Sequence, residues 1–319
     1  MLRRRFIFAT AAATALRSRR ALAGAALGHK ERVDRALAAR DVDRPPFSFW
    51  HHFNLPTPEA HADATLRFHR DYRTDIVKVM SDFPYPKPAG KWYELMPEAN
   101  PFAPQVKALN LIRNGLNGRA PFVETIFNPW NVAEKLSSTQ EVQRMKKDNP
   151  QALLNALDVI ARSEANHAKR AIDAGAAGVF LSVANANSAT LTPEEYERFS
   201  LPFDRRILEA VSGAKLNILH VHVERDYLRF FPNFPAQVFN YSLHVSHIPI
   251  ADVRREFGGV IAGGVDEVNY RTLSESELAS QWHAARAAAG PKYILTPGCS
   301  VPNESTRTEL LRLPKVLGA

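Results

Sequence analysis

The sequence predicts a single α/β domain folded as a (β/α)8 barrel of the TIM type, and three observations predict it. Eight short apolar runs recur along the chain, most of them separated by helical patterns. The runs are nearly continuous in apolar residues, as parallel strands covered on both faces are, whereas antiparallel strands alternate. No glycine-rich phosphate turn follows the first run, so neither an open doubly wound sheet nor a nucleotide cofactor has support.

Residues 31–319 supply the barrel, in order. A helix over Glu31 to Ala39 leads through Pro45-Pro46 into the first run, Phe47 to Trp50. The second run is Asp75 to Met80, and the third, Phe122 to Phe127, follows a helix around Ala103 to Asn114. A long amphipathic helix from Pro150 to Ala174 precedes Gly178 to Ser182. Leu216–His220, Gln237–Tyr241, Gly259–Ala262 and Tyr293–Thr296 complete the set. Eight β/α units in fewer than 300 residues suit one closed barrel.

Residues 1–30 read as an address instead. They hold seven basic side chains and no acidic one, which leaves 34 basic and 33 acidic residues for the rest of the 319-residue chain. A body so close to neutral has no electrostatic footprint for a phosphate backbone, which excludes nucleic acid as a partner. Arg3-Arg4-Arg5-Phe6-Ile7 resembles a twin-arginine export signal, and Ala21-Leu22-Ala23 offers a cleavage site. The expectation is export to the periplasm, with an organelle transit peptide or a misassigned start as rival readings; without a working leader the protein is cytoplasmic. No segment is apolar over the length of a membrane span, so stable insertion is not expected. The single cysteine, Cys299, excludes an intrachain disulfide.

Barrel active sites form at the C-terminal ends of the strands, so the residues just after each run are the candidates. Those residues are His51, His52, Ser81, Asp82, Asn128, Trp130, Asn185, Asn187, His220, His222, His244, His247, Asp266 and Cys299. His220 and His222 are two apart on a strand and share a face. With a Cys299 thiolate they would give two nitrogens and a sulfur, the donor set of a catalytic zinc site with one position open. The plain alternative is a pair of histidines bonded to backbone and a small core cysteine. Asp82 could move a proton or stabilise positive charge, or cap a helix. One of His51 and His52 should face the cavity, because strand neighbours alternate. Asp266 ends a Gly263-Gly264-Val265 turn and reads as a ligand contact or as turn chemistry. Trp50, Trp92, Tyr93 and Trp130 could line a pocket or simply pack.

Four ordered strings resemble the uroporphyrinogen decarboxylase superfamily, which also contains zinc-dependent, corrinoid-linked methyltransferases. They are Leu191–Phe203, Ile218-Leu-His-Val-His222, Gly263-Gly-Val-Asp266 and Tyr293–Pro302, the last containing Pro297-Gly298-Cys299. The methyltransferase branch implies zinc held by His220, His222 and Cys299, with histidine standing at 222 where that branch has cysteine. The decarboxylase branch implies Asp82 as the carboxylate that handles a pyrrole. Its arginine-rich signature should follow the first strand, where Trp50-His51-His52-Phe53 stands instead. The first expectation is therefore decarboxylation of an anionic carboxylate, tetrapyrrole-like or aromatic but not uroporphyrinogen itself. Asp82, His51 and His52 would act on a substrate bound by Trp50, Asn185, Asn187 and Asp266. Zinc-dependent one-carbon transfer is the alternative, and an exported metal- or tetrapyrrole-binding protein without turnover is the third. The partner is a small molecule, and the reading leaves room for a homodimer.

Overall fold

The computed structural model describes residues 26–319. The twin-arginine-like motif and its cleavage site lie outside the described residues. From Leu27 onward the chain is joined to the body, the Leu27 N–H donating to Asp43.

Seven strands form one parallel sheet in sequence order: β1 (Val77–Val79), β2 (Phe122–Phe127), β3 (Gly178–Ala186), β4 (Ile218–Val223), β5 (Val238–Tyr241), β6 (Val260–Val265) and β7 (Tyr293–Pro297). Each sits where an apolar run predicts it, within one or two residues at the start, although β1 is shorter than its run and β3, β4 and β6 run on past the predicted ends. The two best-defined helical predictions appear as Ala103–Leu116 and Pro150–Asp173, while the first helix runs from His29 to Leu37, two residues earlier than expected. Starts are marked by side-chain caps: Thr192, Ser274 and Thr306 each form a capping box with a glutamate three residues on. No helix among the described residues is long and apolar enough to cross a membrane.

The sheet is curled, which the side chains of its concave face make plain. Ile76, Val123, Phe180, Ile218, Val238, Val260, Ala262 and Ile294 come from all seven strands or their flanks, yet pack with Trp50 in one apolar cluster. Alternate residues of a strand share a face. The next positions along that face are therefore Lys78, Thr125, Ser182, His220, Asn240 and Thr296, in a layer above the apolar one.

The predicted first strand is where structure and sequence part. Phe47–Trp50 makes one isolated parallel bridge, Phe47 to Leu295, and is not a strand of the sheet. It nevertheless lies between β7 and β1. The Leu295 N–H donates to Pro46 O and the Ser48 N–H to Leu295 O, while the Asp75 N–H donates to Phe47 O across the other edge. The physical reasons are local: Pro45-Pro46 bring no N–H into the segment, and the Phe47 N–H goes to the Asp75 carboxylate instead of a strand carbonyl.

A buried carboxylate fastens this segment. Asp75 is fully buried; it accepts from the Phe47 N–H and pairs with Arg32, Arg44 and His29, at 2.5, 2.5 and 2.9 Å. Burial alone would raise its pKa, but His29, Arg44 and Arg32 together hold it below the ordinary carboxylate range. A depressed pKa contributes stability at neutral pH that is lost as the pH falls through the folded value. Asp75→Ala leaves the half-buried Arg44 without its anion, Arg32 with Asp43 alone and the Phe47 N–H without its acceptor, so it should cost about 3 kcal/mol in thermal or denaturant unfolding. The variant should also lose part of the wild type's acid sensitivity below about pH 4.

Candidate active site

At the C-terminal ends of the strands the concave face opens into a cavity of about 470 Å3. Its walls follow the period-two rule strand by strand: Lys78 and Met80, Thr125 and Phe127, Phe180, Ser182 and Ala184, His220 and His222. Trp50, His52, Cys299 and Ser300 complete the centre, and Asn131, Glu134 and Lys135 the rim.

His220, His222 and Cys299 come together as expected, their candidate donor atoms all within 4.8 Å of one another. Cys299 Sγ lies 3.3 Å from His222 Nε2. The protonation of His220 follows from its neighbour Asn240. The Asn240 amide nitrogen faces three acceptors, Ala262 O, Thr296 Oγ1 and Pro297 O, at 3.1–3.2 Å. Its oxygen must then face the other way, where it accepts from Trp50 Nε1 at 3.1 Å and from His220 Nδ1 at 2.7 Å. His220 therefore carries its proton on Nδ1 and presents the bare Nε2 lone pair to the cysteine side. Burial lowers the pKa of His220, so the ring is neutral near pH 7. Burial pushes the Cys299 thiol up, but the Ser300 N–H and the Lys78 charge oppose it, and the thiol lies below its usual range.

The loop carrying Cys299 is pressed against its neighbour. A Cβ built on Gly298 would stand 2.2 Å from Ser242 Cα, so only glycine allows this approach. The Gly298 N–H donates to Glu267, a carboxylate 4% exposed.

The other expected residues divide. His52 faces the cavity, and burial and the Lys78 charge lower its pKa to about 4. His51 points away, stacked on Phe68 at 5.2 Å with Nδ1 buried and unpartnered, so the alternation selects His52 alone. Asp82 is absent from this cavity; it lines an adjoining one of about 320 Å3 together with His52, Lys135 and Glu164. There its carboxylate lies 3.1 Å from the buried His61 and accepts from the Asn54 N–H. Asn185 lies on the other face of β3, buried and bonded to Asn128 and Ser200. Asn187 holds Thr190 and lines a third cavity, of about 290 Å3, which shares His222 and Cys299 with the first. Asp266 accepts from the Val268 and Asn269 N–H groups, which is turn chemistry. His244 lies 3.9 Å from Asp266, and His247 ends a one-turn helix at φ +54°. Trp130 packs in the core and donates to Glu134.

Sequence reasoning missed Lys78 and Asn240. Lys78 is buried, its amine 3.6 Å from Met80 Sδ and 4.7 Å from the centre of the Phe180 ring. Burial lowers its pKa to about 7. The signal was present: it is the one charged residue in the run Ile76-Val-Lys-Val-Met80.

The arrangement defines an enzyme-like α/β fold with a nitrogen- and sulfur-rich cluster on the floor of its strand-end cavity. Comparison with known proteins places it further. A profile of the uroporphyrinogen decarboxylase (URO-D) family matches residues 84–315, and the chain belongs to that family. Uroporphyrinogen decarboxylases of Pseudomonas aeruginosa (strain LESB58) and Thioalkalivibrio sulfidiphilus (strain HL-EbGR7) align at 31% and 33% identity. These alignments cover 33% of this chain and only 30% and 31% of the relatives. Among solved structures, a methyltransferase from Methanosarcina mazei superposes with a TM-score of 0.71 at 15% identity, over 92% of this chain and 98% of its own. A B12-independent methionine synthase from Shewanella sp. W3-18-1 gives 0.59 at 13% identity, over 86% and 92%. At such identities the likeness shows the fold alone.

Gly298→Ala should push the cysteine loop off Ser242 and open the Cys299 contacts. The midpoint of the pH dependence of Cys299 alkylation by iodoacetamide should then rise toward that of a free thiol, about 8.5. An unchanged midpoint would show that the loop approach does not set the thiol's environment.

Proposed function

We propose that this protein is a metal-dependent group-transfer enzyme of the URO-D family, with zinc held by His220, His222 and Cys299 and a one-carbon unit as the group transferred. The observation that carries the reading is the convergence of the three donors with the His220 tautomer already set. A metal-binding histidine needs one bare nitrogen and a partner for the other, and Asn240 is that partner. The donor set fits zinc: two imidazole nitrogens, one thiol held low, and an open side toward the cavities. When bound, zinc would act as a Lewis acid that keeps an acceptor thiol or hydroxyl deprotonated at neutral pH.

The chain's own residues have separate tasks. Cys299 and His222 form a shared wall between two cavities, so donor and acceptor can approach from opposite sides. Glu267 steadies the Gly298 backbone next to Cys299. His52, neutral near pH 7, offers a hydrogen-bonding ring nitrogen inside the main cavity. Trp50, Phe127 and Phe180 exclude water around the reacting atoms. The Phe47–Trp50 segment, in this reading, is the eighth stave of a closed barrel.

Decarboxylation of an anionic carboxylate is the second reading, and Asp82 supports it. A carboxylate beside His61, on a cavity that also holds Lys135, could stabilise a protonated intermediate. That cavity adjoins the first through His52 and Lys135. Among the described residues neither cavity lining contains an arginine, which speaks against uroporphyrinogen itself as substrate. Export is a proposal that rests on the arginine motif Arg3-Arg4-Arg5 ahead of the barrel.

Elemental analysis of the purified protein tests the first reading. About one zinc per chain is expected, lost in His220→Ala and Cys299→Ser, and bound about 10–100-fold more weakly in Asn240→Leu. Zinc-free protein that takes up none at neutral pH would sink the metal reading and leave Asp82→Asn as the variant to assay against carboxylate substrates.

A further inference from the structure

Two lysines line the main cavity, and neither has a carboxylate within 4.0 Å among the described residues. The Lys78 amine sits at the floor between Met80 Sδ and the faces of Phe180 and Trp50, 4.7 and 6.0 Å from the ring centres. Lys135 is exposed at the rim, with Nζ against the face of Phe127. An ammonium group with no carboxylate in contact is costly to bury, and this chain places one where a ligand would be enclosed. A structural lysine would be expected to carry an ion-pair partner, as Lys146 does with Glu195 at 2.7 Å. The nucleophilic alternative is a desolvated amine in an apolar pocket, the setting in which lysine attacks carbonyl groups.

We propose that Lys78 forms an imine with the carbonyl group of an oxo acid whose carboxylate is held by Lys135. The inference goes beyond the metal reading and needs no ion. Lys78 gives up two of its three ammonium protons, its nitrogen lone pair adds to the carbonyl carbon, and the oxygen takes those two protons and leaves as water. The product is a protonated C=N bond, an electron sink at the floor of the cavity. For a 3-oxo acid the consequence is decarboxylation. The bond to the carboxylate breaks, carbon dioxide leaves, and the electron pair moves into an enamine; a proton then returns to carbon and water releases the ketone and the free amine. No oxidant or co-reactant beyond water enters. The chemistry offers the decarboxylase reading a route that does not pass through Asp82 or a pyrrole. The walls, Trp50, Phe127, Phe180 and Met80, suit an aryl or other apolar substituent.

The experiment is reductive trapping on the full chain after treatment with a chelator, so that its outcome does not depend on metal. The protein is incubated with phenylpyruvate and sodium cyanoborohydride, and the modified lysine is located by peptide mass mapping. One adduct per chain at Lys78 is expected, absent in Lys78→Arg. Lys135→Met should lower the trapping rate with phenylpyruvate about tenfold, from loss of a charge-assisted contact, and leave phenylacetaldehyde unaffected. Mapping of the wild type carries the test even if a variant folds poorly. No adduct, or adducts spread over surface lysines with none at Lys78, would overturn the proposal. An adduct at Lys78 insensitive to Lys135 would overturn the oxo-acid assignment.

Discussion

The amide of Asn240 is the contact on which the cavity depends. One side chain, fully buried, bonds to the backbone of β6 and β7, to Thr296, to Trp50 and to His220. All of its hydrogen-bonding capacity is used, so its orientation is not free. Because the amide cannot turn, His220 must donate through Nδ1, and the chemical character of the centre follows from that one constraint. Trp50, held by the same oxygen, closes the floor and packs on Phe180, which in turn stacks on His220 at 5.0 Å.

The fold was legible because burial on both faces leaves a strong mark: runs such as Phe122–Phe127 and Tyr293–Pro297 have few other readings. The first run misled for a local reason, since apolar character predicts burial and says nothing of missing N–H donors at Pro45 and Pro46. The His220–His222 pair was legible from spacing, whereas Cys299 was joined to it on donor chemistry and then on the resemblance, because the sequence gap between them hides a contact of 3.3 Å. Asn240 left no signal beyond a polar residue inside an apolar strand, and its role depends on three other strand ends meeting it. Asp266 and Asn187 show the converse: their polar types and turn context suggested a ligand, and the folded chain uses them mainly to satisfy its own backbone.

The distribution of charge separates the two candidate chemistries in space. The donor cluster and Lys78 share the main cavity, whereas Asp82 and the buried Glu164, whose pKa burial and Glu124 raise well above the usual range, belong to the adjoining one. His52 and Lys135 lie on the boundary and could serve either. Family membership rests on the profile match over residues 84–315; the aligned decarboxylases cover a third of the chain, and the superposition on a methyltransferase shows the fold alone. What decides between them is whether Cys299 is a ligand or a bystander.

Cobalt substitution answers that directly. Metal-free protein titrated with cobalt(II) should develop thiolate-to-metal charge-transfer absorption in the near ultraviolet and intense visible bands of a four-coordinate ion, saturating at one equivalent. Cys299→Ser should abolish the charge-transfer band. A spectrum identical to that of cobalt in buffer, or one unchanged by Cys299→Ser, would contradict the account.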